Sequence, residues 1–330
     1  MLLDRYETKL IQSGLKMVMY VAVRKLFKCD VYFMHSLDKG LYCKIQSKNN
    51  LNNDDINNLK EMMDDLVSKD LKITKKVITV KDAYNFYIKI NEMEKANNIL
   101  YSNDKTVTIY ELCGYYNYFL SDMPESTGSL KNYILNYLGD NSVVLSTPYL
   151  SDFSLPTFTN QDMILKSFSD YKNWCNLVHV NYISDLNMLV SESKIKEFIK
   201  KNDIMMDNQI YELANLIRKE NKKLVLLGGP SSSGKTTSTK KLALYMSAIG
   251  LNPIYLGLDD YFKEKVDSPK LENGEYDFES IDCIDLDLFN KQLTQILNGE
   301  EVSVPTYNFV EGKKEYKGRL IKLKENDIIL

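Results

Sequence analysis

Residues 224–245 of this 330-residue chain read LVLLGGPSSSGKTTSTKKLALY. The stretch begins with the apolar run Leu224–Leu227, whose length and composition predict a short buried strand. Gly229–Thr236 then fits G-x-x-x-x-G-K-[ST] at every fixed position, and apolar residues at helical spacing follow it. The alternative is a Gly/Ser turn before a surface helix. The flanking strand and helix patterns favour a phosphate-binding loop instead.

The loop predicts an anion site for physical reasons. Its glycines let successive backbone N–H groups face inward, and a helix N-terminus adds partial positive charge. Lys235 can reach the β- and γ-phosphates of a nucleotide, and the Thr236 hydroxyl can ligate Mg²⁺. We therefore predict ATP and Mg²⁺ as cofactors. The predicted nucleotide-binding residues are Gly229, Ser231, Ser232, Ser233, Gly234, Lys235, Thr236 and Thr237.

The composition is that of a globular protein. Apolar residues make up 44% of the chain, charged residues 26%, and the net charge of −3 gives no reason to expect a nucleic-acid coat. No apolar run approaches the length that crosses a bilayer. Five scattered cysteines without a C-x-x-C pair indicate reduced thiols in a cytoplasmic protein, and two histidines argue against a histidine-based metal or triad site.

The hydrophobic pattern divides the chain into three segments. Residues 1–155 predict an α+β domain, residues 156–222 a helical connector, and residues 223–330 an α/β domain. Within the first, Asn53 or Asp54 is the predicted cap of a helix that ends near residue 67. The predicted helices are 8–27, 82–98, 162–178, 191–201, 204–220 and 285–297, with breaks near Asn181 and Asn202. The predicted strands of the first segment are 31–35, 41–46, 77–80, 106–112, 115–120, 130–137 and 143–146. In the last segment, residues 302–310 and 316–323 predict a hairpin around the turn Glu311–Lys314.

Asp259 follows a second predicted strand, Asn252–Leu258, and the apolar end Asp327–Leu330 predicts a third. A strand–helix–strand unit is parallel, so the strands' carboxyl ends share one edge of the sheet. That edge brings Asp259 toward the glycine loop. A carboxylate there could accept the proton of an attacking hydroxyl or hold Mg²⁺ through water. The alternative is that Asp259 and Asp260 merely end a strand.

Four segments of residues 223–330 resemble the uridine kinase and phosphoribulokinase family of P-loop kinases: GGPSSSGKTT, LDDYF (258–262), GEYDFES (274–280) and NGEEVSVPTYNF (298–309). The resemblance implies a P-loop NTPase parallel sheet, with Asp259 as the base for a nucleoside 5′-hydroxyl. It also implies that Phe278 and Glu279 hold the nucleoside and that Tyr307 contacts its base. Gly312 stands where uridine kinases have a histidine, which puts uridine itself in doubt as the acceptor.

The N-terminal segment resembles the second additional, or editing, domain of threonyl-tRNA synthetases. The similar stretches are MYVAVRKLF (19–27), KGLYCKI (39–45), YELCGYYNYF (110–119) and STGSL (126–130). That domain carries H-x-x-x-H and C-x-x-x-H pairs, which correspond here to Ser13, Met17, Cys113 and Asn117. Three of the four are poor zinc ligands, so we expect neither a metal nor aminoacyl-ester hydrolysis. Cys113 is expected to be a buried thiol.

These patterns predict an ATP-dependent phosphotransferase that acts on a nucleoside or a similar small hydroxyl acceptor, with Lys235 and Asp259 as its catalytic residues. One alternative is an NTP-binding regulator in which the editing-like domain binds RNA, and another is a scaffold with a vestigial loop. A homo-oligomer is an alternative to a monomer, and no membrane partner is expected. The segment after Lys222 is shorter than the corresponding domain of the resembling kinases. We therefore expect an incomplete kinase with low catalysis.

Overall fold

The computed structural model describes residues 5–101, 104–148, 154–230, 232–271, 273–278 and 280–330. The chain forms two compact units, Met1–Ile195 and Lys196–Leu330. Their boundary lies inside the segment 156–222 that the sequence predicts as a connector.

The first unit is α+β. Its helices are α1 (Arg5–Phe27), α2 (Asn53–Ser68), α3 (Val80–Lys89), α4 (Met93–Leu100), α5 (Asp162–Leu177) and α6 (Ile183–Ser191). Its strands are β1 (Val31–Leu37), β2 (Gly40–Ile45), β3 (Thr74–Thr79), β4 (Thr106–Leu112), β5 (Tyr115–Tyr118), β6 (Ile134–Gly139) and β7 (Ser142–Ser146). Two antiparallel sheets result, in the orders β1-β2-β7-β6 and β3-β4-β5.

Helix α1 lies at the centre of this unit. Its middle part is buried on nearly every side, from Leu15 to Val23, and joins one apolar cluster with α2 and both sheets. A helix that is apolar all round is stable only when it is enclosed in this way. The predicted helix at residues 8–27 is therefore confirmed, and the packing around it explains why it carries so few charges in its middle.

Several boundaries in the first unit differ from the sequence-based expectation, since the strand expected at 77–80 is Thr74–Thr79 and that expected at 130–137 is Ile134–Gly139. The cap of α2 is Asn52, not Asn53 or Asp54, because its side chain accepts from the amides of Asp54 and Asp55 at 2.8 and 3.1 Å. The single helix expected over residues 82–98 is two helices, α3 and α4. Asn91 separates them with a φ of 61°, a left-handed conformation that interrupts an α-helix.

The second unit contains the glycine loop. Its helices are α7 (Ile195–Lys219), α8 (Lys235–Ala248) and α9 (Leu286–Leu297), and its strands are β8 (Asn252–Ile254), β9 (Val302–Ser303), β10 (Thr306–Asn308), β11 (Lys313–Glu315), β12 (Leu320–Ile321) and β13 (Asp327–Ile329). The break expected near Asn202 is wrong, since α7 runs through it. The Asn202 side-chain amide donates to the Phe198 carbonyl one turn back at 2.9 Å, a contact made within the continuous helix.

Three parallel segments form the centre of this unit, as the sequence predicts, although the second strand, expected over Asn252–Leu258, ends at Ile254. β13 pairs with β8 in parallel, and on its other side Leu224 makes a parallel bridge to Ile329. Ile328 packs with α7 and α8, while Ile329 packs with α9, because consecutive strand residues face opposite sides of a sheet. The expected buried strand Leu224–Leu227 is wrong in its second half, since Leu226 is 76% exposed beyond the pairing with β13.

The C-terminal hairpin forms in two short ladders. β10 pairs antiparallel with β11, and β9 pairs antiparallel with β12. The turn lies at residues 309–312, not at Glu311–Lys314, because Lys313 and Lys314 already pair with Asn308 and Tyr307.

Candidate active site

Lys235 is the first residue of α8 and lies against the glycine loop. Its ammonium Nζ donates to the carbonyl oxygens of Gly229 at 2.8 Å and Pro230 at 2.9 Å. The N-cap, Gly234, has a φ of 84° and provides no side-chain cap to the helix. The first-turn N–H groups of α8 therefore have no capping side chain to accept from them, which is the arrangement that binds a phosphate.

The side chains of Ser233 and Lys235 lie close to the backbone of Gly229. A Cβ atom at that position would lie 2.7 Å from Ser233 Oγ and 3.3 Å from Lys235 Cγ, so a larger residue there would have to displace these side chains. Ser232 has a φ of 59°, and the side chains of Thr236 and Thr237 are exposed to solvent. Ser231 lies outside the described residues. These features fit a bound phosphate and leave the Thr236 hydroxyl open to a Mg²⁺ ion.

Asp259 lies in a 3₁₀ turn, Leu258–Tyr261, that follows β8. Its side chain is exposed and bonds to none of the described residues. The glycine loop follows the bridge at Leu224, and this turn follows β8, so both leave the same carboxyl edge of the three parallel segments. The topology therefore places a carboxylate that has no partner among the described residues at the edge from which the loop also leaves.

Asp260 has a different role from its neighbour. Its Oδ2 atom lies 3.1 Å from Arg319 Nη1, and its Oδ1 atom accepts from the Tyr307 amide at 3.4 Å. Arg319 also donates to the Tyr255 carbonyl. This network holds the turn against β10. Sequence reasoning missed Arg319, which lies 59 positions from Asp260 and belongs to no motif.

An aromatic cluster lies beside the turn. The Phe262 ring is 5.5 Å from Tyr307, 5.8 Å from Phe309 and 6.3 Å from Phe278, measured between ring centroids. The structure thus joins the predicted acceptor residues Phe278 and Tyr307 through Phe262, while Glu279 lies outside the described residues. Phe262 and Phe309 were missed, although both belong to quoted motifs, LDDYF and PTYNF.

This cluster can receive a flat ring. Phe278 is 45% and Phe309 is 68% exposed, and aromatic faces stack with the faces of planar ligands. Burial, aided by the nearby Glu264 carboxylate, raises the pKa of Tyr307. Its phenol therefore stays protonated at neutral pH and can donate a hydrogen bond.

The comparisons with known proteins concern the same segment. Residues 224–330 match the model of the Phosphoribulokinase / Uridine kinase family. The C-terminal region carries a domain of this family.

Similar proteins include three uridine kinases. The chain is 34% identical to that of Leuconostoc citreum over 81 residues, 35% to that of Schizosaccharomyces pombe over 88, and 29% to that of Borrelia duttonii over 108. The matches cover 24%, 26% and 33% of this chain, and 39%, 19% and 49% of those proteins. The chain therefore spans less than half the length of each.

Among solved structures, a Silicibacter sp. TM1040 protein named as a fructose transport system kinase is 17% identical, with a TM-score of 0.30 over 36% of this chain and 61% of that one. None of the described helices combines the length and hydropathy of a membrane span.

Gly312, the position of the expected histidine, has a backbone that disfavours a side chain. Its φ is 67°, and a Cβ atom there would lie 2.9 Å from Lys265 Cβ. The Gly312 carbonyl accepts from the Lys265 amide at 2.9 Å, which fixes this close approach. A histidine at 312 would therefore require a different course of the turn.

We expect Gly312→Ala to lower the free energy of unfolding more than Gly318→Ala does. Both glycines have positive φ, at 67° and 78°, but only Gly312 has a close neighbour. The backbone strain alone costs about 1–2 kcal/mol, and the contact with Lys265 adds to it at Gly312. Urea unfolding of the two variants measures the difference. Equal losses would show that the turn adjusts without cost.

The four positions that correspond to synthetase metal ligands have different surroundings. Ser13 and Asn117 line a cavity, whereas Met17 is fully buried in the apolar core. Cys113 is exposed at the β4–β5 turn with a φ of 54°, so the expectation of a buried thiol is wrong. A turn residue between paired strands points away from the core, which explains its exposure.

Proposed function

We propose that the C-terminal unit transfers a phosphoryl group from ATP to the 5′-hydroxyl of a nucleoside, of the uridine or cytidine type, or to a similar small acceptor. The observation that carries the proposal is the common edge of the parallel segments. The glycine loop, which ends at a helix N-terminus without a side-chain cap, starts from this edge. The turn with Asp259 starts there too, and the Asp259 carboxylate bonds to none of the described residues. An open aromatic cluster lies beside this turn. The family match of residues 224–330 supports the same class of reaction.

Each residue has a defined task in this proposal. Lys235 and the loop N–H groups bind and neutralise the phosphates, and Thr236 holds Mg²⁺, which neutralises charge on the phosphate oxygens when bound. Asp259 orients the acceptor hydroxyl and accepts its proton. Phosphoryl transfer has a loose transition state, so positioning and charge stabilisation outweigh the strength of the base.

The acceptor is held by Phe278, Glu279 and Tyr307 in the same proposal. The Phe262-centred cluster provides a stacking surface, and the Tyr307 phenol provides a hydrogen bond to the edge of a ring. Asp260 and Arg319 fix the turn that carries Asp259, so they position the base without contacting the acceptor. For the N-terminal unit, we retain the editing-like origin as a proposal based on the resemblance of residues 1–155.

Transfer of label from γ-³²P-ATP to a nucleoside tests the function. We expect labelled product with uridine or cytidine and none with 5′-deoxyuridine, which keeps the base and the ring but lacks the accepting hydroxyl. The label detects turnover far slower than the ordinary kinase range of about 1–100 per second. Phosphate release that does not depend on any nucleoside would contradict the proposal, as would the absence of transfer to every nucleoside tested.

A further inference from the structure

The first unit contains a cavity that none of the kinase residues line. Its volume is about 820 Å³, within the range of small-molecule sites. Its walls come from α1, β1, the α3–α4 connection, β5, and the region of Lys172 and Tyr182. All these elements belong to the unit Met1–Ile195.

The acidic groups on the cavity wall already have partners. Asp30 pairs with Arg24 at 2.5 Å, and Glu92 pairs with Arg24 at 2.6 Å and with Lys95 at 2.5 Å. Glu94 accepts from the Tyr32 hydroxyl at 3.0 Å. Asp30 and Glu92 are therefore paired with cations, while Glu94 keeps its charge and is hydrogen-bonded to a neutral phenol.

Of the three lysines that line the cavity, two have a bonded partner among the described residues and one does not. Lys95 pairs with Glu92, and Lys172 donates to Asn181 Oδ1 at 2.8 Å. Lys16, on α1, lines the cavity and is half-buried, and its ammonium bonds to none of the described residues. Together with Arg24, the cavity region holds four basic groups against three carboxylates, and Lys16 is the basic group that bonds to none of the described residues.

The surroundings of Lys16 explain why an anion would be favoured there. Burial lowers the pKa of Lys16, since a partly desolvated ammonium lacks the stabilisation that water gives. The nearby Cys43 thiol is fully buried, and burial raises its pKa to about 12, so it is neutral at physiological pH. A ligand anion would provide the counter-charge that the protein does not.

Two further polar groups lie on the same wall. Ser13 precedes Lys16 by three residues, so both side chains occupy one face of α1. Asn117, on β5, uses its Oδ1 atom to accept from the Tyr118 amide at 3.0 Å. Its Nδ2 group bonds to none of the described residues and is left to donate. Phe33 and Phe119 add apolar surface to the cavity.

We propose that this cavity is a binding site for a small organic anion whose carboxylate or phosphate group pairs with Lys16 and accepts from Ser13 and Asn117. Phe33 and Phe119 contact the organic part of the ligand. The proposal does not rest on the kinase function of the second unit.

Calorimetric titration with matched probes tests the site. Benzoate and phenyl phosphate carry the two candidate anions on one ring, and benzamide is the neutral counterpart of benzoate. We expect at least one anion to bind the wild-type chain and benzamide to bind at least about tenfold more weakly, because hydrogen bonds between charged groups are the strong ones. The tighter of the two anions identifies the ligand as a carboxylate or a phosphate ester.

Three variants locate the binding. Lys16→Met should weaken binding of the favoured anion at least about tenfold, whereas Lys9→Met, which removes an exposed lysine of the same helix that does not line the cavity, should leave it within about twofold. Lys235→Ala should also leave it unchanged, which separates this site from the phosphate loop. Lys16→Gln provides a second test if Lys16→Met fails to fold.

The proposal is overturned if neither anion binds the wild-type chain, if benzamide binds as well as benzoate, or if folded Lys16 variants bind like wild type. If Lys235→Ala lost binding while Lys16→Met kept it, the anion would be bound in the second unit. That result would also overturn the proposal.

Discussion

Replacing Lys235 by alanine is expected to reduce ATP binding or ATP turnover by about 10²–10³-fold, the usual effect of removing one preorganised electrostatic contact. The side chain is the first of α8, and its ammonium is held over the loop by the Gly229 and Pro230 carbonyls. A phosphate in the loop would meet that charge at a fixed position, so little reorganisation accompanies binding. Alanine removes both the charge and the two hydrogen bonds that tie the loop to the helix.

Lys240→Ala is the matched control, because Lys240 is exposed on the same helix. Calorimetric titration with Mg-ATP should give wild-type affinity for Lys240→Ala and a large loss for Lys235→Ala. Circular dichroism shows whether both variants keep their helices. If Lys235→Ala binds ATP as tightly as wild type, the loop does not bind the phosphates of ATP.

The conformation of the glycine loop was predictable because its determinants are local. The spacing from Gly229 to Thr236 fixes a turn, a glycine at the helix cap and a lysine at the first helical position, and all of these are short-range. The start of α8 at Lys235 and the positive φ of Gly234 follow directly from that spacing. The order of three parallel segments was also predictable, since a strand–helix–strand unit allows few topologies.

The surroundings of Asp259 were less predictable because they depend on long-range contacts. Of the two adjacent aspartates, Asp260 is the one that pairs with Arg319. No local sequence pattern connects these two residues. The aromatic cluster was half-predicted, since Phe278 and Tyr307 came from motifs while Phe262 became central only through packing. Tertiary pairing likewise decided that Leu226 is exposed, although its sequence is typical of a buried strand.

In the first unit, periodicity predicted most elements but not the points where backbone conformation changes. The left-handed Asn91 between α3 and α4 and the exposed Cys113 after β4 lie at such points. The cavity at Lys16 could not be predicted, because whether a lysine lacks a partner depends on groups from five separate segments of the chain. A sequence pattern gives no information about such a charge balance.

Replacing Asp259 by asparagine is expected to reduce nucleoside phosphorylation by about 10²–10⁴-fold, the range for a positioned general base, while Mg-ATP binding changes little. Asparagine keeps the shape of the side chain but cannot accept the proton. Because Asp259 bonds to none of the described residues, its loss should not destabilise the turn, which Asp260 and Arg319 hold.

The exposed Asp267 provides the control, and Asp267→Asn should transfer phosphate at the wild-type rate. The measurement is label transfer from γ-³²P-ATP to the favoured nucleoside at saturating ATP, so that the rate reports the acceptor side alone. A fall in ATP affinity together with the rate would instead assign Asp259 to Mg²⁺, the other role that its position allows. Wild-type transfer by Asp259→Asn would remove Asp259 from the reaction altogether.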